Sequence, residues 1–221
     1  MRPHEDDGTA VKARYAAVFV LFALLVVIAC LEITVLASAW TLHHAGRFDD
    51  EIAFLEAWEP VRVWEPGRHK VIDQRYLDRV RAELLASRLD RAARAARLAR
   101  ARFRERGRAG DPELLAVGME VCTRAADRLE RAGRLSAAAD WNDSLFVLAV
   151  RAPEERMRNA ALAAFTEGLD LRVRDGKPCD ALSRVQWAQR GLGGAVPGLS
   201  PRAEGELQER CARSRAVAGS R

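Results

Sequence analysis

Apolar side chains are laid out along this chain in three patterns, and each predicts a different element. From Tyr15 to Trp40 they run through 26 residues with Glu32 the only charge, whereas a helix crossing about 30 Å of hydrocarbon needs about 20 apolar residues. The segment predicts one transmembrane helix, with Tyr15 and Trp40 placed where aromatic rings settle at the headgroup level. The second pattern lies in "FDDEIAFLEAWEP", where Phe48, Ile52, Leu55 and Trp58 recur at helical spacing and Asp49, Asp50 and Glu51 occupy the first turn. A short amphipathic helix is predicted there, lying on the outer headgroups or against the domain that follows.

In the third pattern, Ala, Leu and Arg alternate with turn signals. From Gln74 to Arg106 no Gly or Pro interrupts the chain, which predicts one helix of about 30 residues and about 45 Å. Five further helices follow: Pro112 to Gly133, "RLSAAADWNDSLFVLAV" up to Pro153, Pro153 to Gly176, Pro178 into "GLGGAVPG", and Ser200 to about Ala218. Asp111 and Ser200 stand in capping positions, each with a proline behind it. Short Gly-rich turns between helices of this length imply antiparallel neighbours. The fold class is therefore all-α, a single transmembrane helix followed by a helical-hairpin, repeat-like bundle. The expected organisation is a cytoplasmic tail (1–14), a signal anchor (15–40), a juxtamembrane segment (41–72, with Phe54, Trp64, Pro60 and Pro66) and a helical domain (73–218).

Composition supports helices, because aromatic residues are only 6% of the chain and Ala and Arg, both good helix formers, dominate its second half. Charge adds a direction. Arg2, Lys12 and Arg14 precede the apolar run, while Arg47 is the sole Lys or Arg in the 20 residues after it. The positive-inside bias places the N-terminus in the cytoplasm and the bulk of the chain outside. Two other readings keep that direction of export. "VIAC", ending at Cys30, resembles the lipobox of bacterial lipoproteins, but "LEITVLASAW" stays apolar where a polar tether is expected. "ASA", Ala37 to Ala39, offers small residues for a signal peptidase, but the apolar run exceeds the usual 7 to 15 residues of a cleaved leader.

Glu32 then needs a reason, since an ionised carboxylate at mid-span costs about 2.5 to 3.5 kcal/mol on insertion scales. It either protonates or snorkels without a role, or it contacts a partner helix in the membrane. A second cluster is basic: Arg75 to Arg108 holds twelve arginines against four acids. Within it Arg88, Arg91, Arg94, Arg97 and Arg100 recur every third residue and drift around a helix as a stripe. The stripe is either a solvated face or a surface for a polyanion or partner: acidic headgroups, an anionic wall polymer or an acidic protein. Only Phe103 accompanies it for base stacking, so nucleic acid is the weaker match. His43, His44 and His69 lack a metal-binding spacing, and no metal or other cofactor is expected.

Cys179 opens one predicted helix and Cys211 lies midway along the next. Their midpoint, residue 195, falls inside "GLGGAVPGLSP", so a hairpin centred there brings the two together as a disulfide suited to an oxidising exterior. Cys122 is left as a small buried apolar group; three reduced thiols in a cytosolic domain is the contrary reading. No His follows His69, and phosphate-loop, zinc-protease, dinucleotide and paired-cysteine zinc motifs are absent from the sequence, so an enzyme is not expected.

"AGRLSAAADWNDSL" at Ala132 and "DGKPCDALSRVQWA" at Asp175 align at an offset of 43, each with an Ala five residues after its Gly, at Ala138 and Ala181. Over about residues 112–192 this resembles the second half of a tetratricopeptide repeat, which implies a helical scaffold that binds peptides or partner proteins. The period exceeds the family's usual 34, and a plain helical bundle gives the same alanine contacts. The expected function is a membrane-anchored, extracytoplasmic adaptor or scaffold subunit of a cell-envelope complex, with membrane or envelope proteins and anionic lipid or polymer as partners. The alternative is a membrane-tethered cytosolic regulator or nucleic-acid binder with inverted topology.

Overall fold

The computed structural model describes residues 7–62 and 67–219. Arg2, Trp64 and Pro66 lie outside the described residues. Among the described residues the protein has nine helices and no strand, and it divides into two compact units, Met1–Arg75 and Tyr76–Arg221.

In the first unit α1 (Asp7–His44) contains the apolar run and is long and apolar enough to cross a membrane. A turn at Gly46, in the left-handed region with φ of 68°, leads into α2 (Phe48–Trp58), which doubles back against α1. The alternation of faces is visible residue by residue. Ile28 and Glu32 are half-buried, Val35 and Ala39 are buried, and on α2 the residues Glu51, Ile52 and Leu55 are buried while Asp49 and Asp50 face out. The predicted amphipathic helix thus forms, and its apolar side is spent within the unit.

The second unit is a succession of helical hairpins. The expected single helix from Gln74 to Arg106 is instead two, α3 (Arg68–Leu85) and α4 (Leu89–Glu105). Ser87 breaks it, with φ of 55° and the bonds Ser87 N–H to Leu84 O (3.0 Å) and Arg88 N–H to Glu83 O (2.9 Å). These are the paired bonds of a Schellman stop, in which glycine is the usual left-handed residue. A serine there costs about 1 to 2 kcal/mol, offset because folding back lets Val80 and Leu84 of α3 bury Ala92, Ala95 and Ala96 of α4.

The same stop recurs in the next two hairpins. Helices α5 (Pro112–Arg131) and α6 (Leu135–Ala149) meet at Gly133, and α7 (Glu155–Arg174) and α8 (Pro178–Leu192) meet at Gly176. Arg134 N–H reaches Leu129 O at 2.9 Å and Lys177 N–H reaches Arg172 O at 2.8 Å. Five residues beyond each stop stands an alanine with no exposure: Ala92, Ala138, Ala181. Asp111 caps α5 by accepting from the N–H groups of Glu113 and Leu114, and Ser200 accepts from Ala203 at the start of α9 (Pro201–Gly219).

Small residues let the hairpins close tightly. A Cβ on Gly168 of α7 would lie 3.2 Å from Asn142 Cβ and 3.4 Å from the Ala139 carbonyl on α6; one on Gly118 of α5 would lie 2.8 Å from Leu148 Cδ2. Phe146 and Phe165 stack with centroids 4.6 Å apart and pack with Val185 of α8 in the core between the last hairpins.

Candidate functional site: a basic groove and a buried ionic clasp

A cleft of about 450 Å³ opens between α4, α5 and α6, and it is more apolar than the polar clefts elsewhere in the second unit. Its walls are small, Ala93 and Ala96 on α4 and Ala137 on α6, and Cys122, Val121 and Leu148 complete it at depth. Arg97 and Arg100 stand at its rim beside Trp141. A second cleft shares Arg100, Asp140 and Ser144 with it and adds Val147, Arg184 and Trp187. A third shares Val147 and Trp187 and continues to Ala188 and Leu192. The three form one groove across α4, α6 and α8. Val147 on its floor is 55% exposed, an apolar side chain that the rest of the chain leaves uncovered.

The arginine stripe divides because three residues advance a helix by about 300°. Each successive arginine therefore sits about 60° further round. Ala92, Ala95, Ala96, Ala99 and Phe103 bury one side of α4; Arg91 and Arg94 are exposed without lining the groove, and Arg97 and Arg100 line it. Arg88 precedes α4 and pairs with Glu83 at 2.7 Å. Arg97 and Arg100 have no carboxylate within ion-pair distance among the described residues. Burial pushes the Cys122 thiol up to about 11, against the opposing charge of Arg100, so the cleft floor is neutral at ordinary pH.

The acids near this groove are paired with arginines, Asp143 in the interior and Asp140 with a side chain that stays exposed along the lining. Arg172 is buried in the interior and donates to Asp143 (2.7 Å) and Asp140 (2.8 Å), while Arg184 reaches Asp143 at 3.2 Å. Burial holds the Asp143 carboxyl above its ordinary range, with Arg172 and Arg184 pulling it back and Asp140 adding to the rise. With two carboxylates matched by Arg172 and Arg184, the charge left over along the groove is that of Arg97 and Arg100.

The first unit holds a separate polar interior. Glu32 finds its partner inside its own chain: Arg62, with no exposure, donates to it from Nε at 3.0 Å and also from its terminal nitrogen. Glu51, equally buried, receives His43 Nδ1 at 3.0 Å and lies 2.6 Å from Arg75 Nε. His44 bonds the Trp40 carbonyl of its own helix and His69 bonds Glu59. Among the described residues no group of three metal-type ligands occurs.

Cys179 and Cys211 form a disulfide with Cα atoms 4.6 Å apart, joining α8 to α9. Cys122 is buried and Cys30 exposed on α1. Sequence reasoning selected Glu32 and the arginines but missed Arg62, Arg172, Trp141, Val147 and Trp187. A signal existed for the two tryptophans, which stand eight and eleven residues after Gly133 and Gly176 and so project from neighbouring positions on α6 and α8. None existed for Arg62, whose role depends on a fold-back. No protein-family model matches this chain, and no curated protein or solved structure matches it either.

Proposed function

We propose that this protein is a membrane-anchored helical adaptor, tethered by α1 and presenting the α4–α6–α8 groove to a partner protein outside the cytoplasm. The observation that carries the reading is the groove: an open, partly apolar channel edged by two arginines without carboxylate partners, where the other clefts of the unit are lined mainly by charged side chains. The recurring stops at Ser87, Gly133 and Gly176 support a tetratricopeptide-like ancestry, and such repeats serve binding. The disulfide supports an oxidising compartment, and Lys12 and Arg14 support a cytoplasmic N-terminus. The role is binding, not catalysis.

The anchor in this reading is shorter than the apolar run. Asp49 and Asp50 on the outer face of α2 cannot lie in hydrocarbon without a cost of about 2.5 kcal/mol or more each, and α2 is packed along the latter part of α1. The hydrocarbon therefore covers Tyr15–Leu31, 17 residues and about 25 Å, at the short end of what spans a bilayer. Glu32 sits at the outer boundary, where Arg62 neutralises it.

A photo-crosslinking residue at Val147 in intact cells tests the adaptor reading, with Leu85, 83% exposed at the end of α3, as the comparison site. A discrete covalent adduct from Val147 and none from Leu85 is expected. Equal, diffuse adducts from both, or none from any groove position, would remove the reading.

A further inference from the structure

The groove's chemistry restricts what it can hold. Its anion-facing end and its apolar end are different parts of one channel. At the α4 end, Arg97 and Arg100 flank a cleft walled by alanines, lined at depth by Val121, Cys122 and Leu148, and bordered on α6 by Asp140 and Ser144. Small walls around an apolar floor leave room for one large side chain of an incoming molecule, and about 450 Å³ falls within the range of ligand clefts. Guanidinium groups beside it favour a carboxylate, which they hold by charge-assisted hydrogen bonds.

Towards α8 the channel changes character. Val147 is exposed, and Trp187 lies against Phe146 with centroids 6.0 Å apart, while the Arg184 guanidinium sits 5.8 Å over the Trp187 ring. The successive clefts share residues, so an elongated occupant can run through all three, whereas a compact small molecule would fill one cleft and leave Val147 and Trp187 bare. A basic occupant would meet Arg97 and Arg100 and find one exposed carboxylate, Asp140, already bonded to Arg172, while Asp143 is buried against Arg172.

We propose, resting on the adaptor reading, that the groove binds an acidic segment of a partner protein, its carboxylates on Arg97 and Arg100 and one large apolar side chain seated in the alanine-walled cleft. Neighbouring residues of that segment cross Val147 and Trp187. Arg97 and Arg100 are the specificity-determining pair, and Arg91 and Arg94 of the same helix take no part.

The test uses the full chain in detergent micelles as bait for a displayed random-peptide library, with vesicles of anionic phospholipid as a second probe. Peptides rich in Asp and Glu next to Leu or Phe should be enriched, and the enrichment should vanish on Arg97→Ala/Arg100→Ala bait and persist on Arg91→Ala/Arg94→Ala bait. A selected peptide should lose about tenfold in affinity or more for each groove arginine removed, the range of one charged hydrogen bond, and lose its grip on Ala137→Trp, which fills the cleft from its wall. Unaltered helix content by circular dichroism shows that each variant is folded. Enrichment of basic or uncharged peptides, indifference to Arg97 and Arg100, no enriched peptide, or arginine-dependent vesicle binding in place of peptide binding would each overturn the proposal. A specific adduct from Val147 in cells alongside any of these would leave the adaptor reading standing and discard only the acidic segment.

Discussion

Replacing Arg172 by methionine removes the cation that ties α7 to α6, and its cost follows from the burial of what remains. The Asp143 side chain is 10% exposed, and stranding such a carboxylate completely costs about 3 to 5 kcal/mol; the half-exposed Arg184 at 3.2 Å remains and holds the loss to the lower end, still a large share of the roughly 5 to 15 kcal/mol that holds a domain together. The carboxyl escapes part of that cost by taking up a proton. Its folded pKa already lies above the unfolded value of 3.8, so its contribution to stability is fully present below that value and is lost as pH rises through the folded pKa. Without Arg172 the folded value climbs further. The penalty in Arg172→Met should therefore be small near about pH 4 and complete near neutrality, equivalent there to a fall of roughly 10 °C in Tm for a unit of this size. A companion Asp143→Leu substitution removes the stranded charge and should restore most of the loss. Urea unfolding of the full chain in micelles, followed by circular dichroism at the two pH values, reads the effect. Equal losses at both, or a double variant no better than Arg172→Met alone, would refute the reasoning. The same variant frees Asp140 and Asp143 to repel acidic peptide, so groove binding should weaken even in the molecules that remain folded.

Reducing the Cys179–Cys211 disulfide opens a loop of 32 residues, for which chain entropy gives about 3.7 kcal/mol; hydrogen exchange should rise in α8 and α9 and stay unchanged in α5 and α6. Burial pushes the Cys122 thiol up to about 11 from an ordinary 9.0, so stability should decline between those pH values more steeply than in Cys122→Ala, and identical slopes would place the thiol in water. Gly168→Ala should destabilise, because the new methyl meets Asn142 Cβ and the Ala139 carbonyl, whereas Gly118→Ala meets only the tip of Leu148 and should be near neutral after a gain of about 1 kcal/mol in helix propensity; denaturation midpoints in the opposite order would contradict the packing described. Thiols placed at Ala37 and Leu24 should separate the membrane boundary: a water-soluble maleimide should modify the first and spare the second, and protection of both would extend the span to Trp40.

The hairpins were legible wherever glycine or proline punctuated the pattern, as at Gly133, Pro153 and Gly176, because those residues carry their backbone preference in their covalent structure. The break at Ser87 was not, since serine enters the left-handed region only under the pull of packing, here of Val80 and Leu84 on the α4 alanines. Alignment of "ASRLDRAA" with "AGRLSAAA" shows afterwards that Ser87 occupies the place of Gly133. The cysteine pair was legible from symmetry about residue 195. Among the arginines, helical arithmetic separates Arg97 and Arg100 from Arg91 and Arg94, but which side is open depends on where α5 and α6 pack. Glu32 was visible as an anomaly; Arg62, 30 residues away, was not, because its burial is made by a tertiary fold-back that no local pattern encodes.

The side of the membrane on which the disulfide lies separates an exported helical unit from a cytosolic one. Intact cells treated with a membrane-impermeant reductant, then with an impermeant maleimide carrying a mass tag, should show Cys179 and Cys211 modified after reduction and neither before it. Modification that appears only once the membrane is permeabilised would place the helical unit in the cytoplasm and contradict the account.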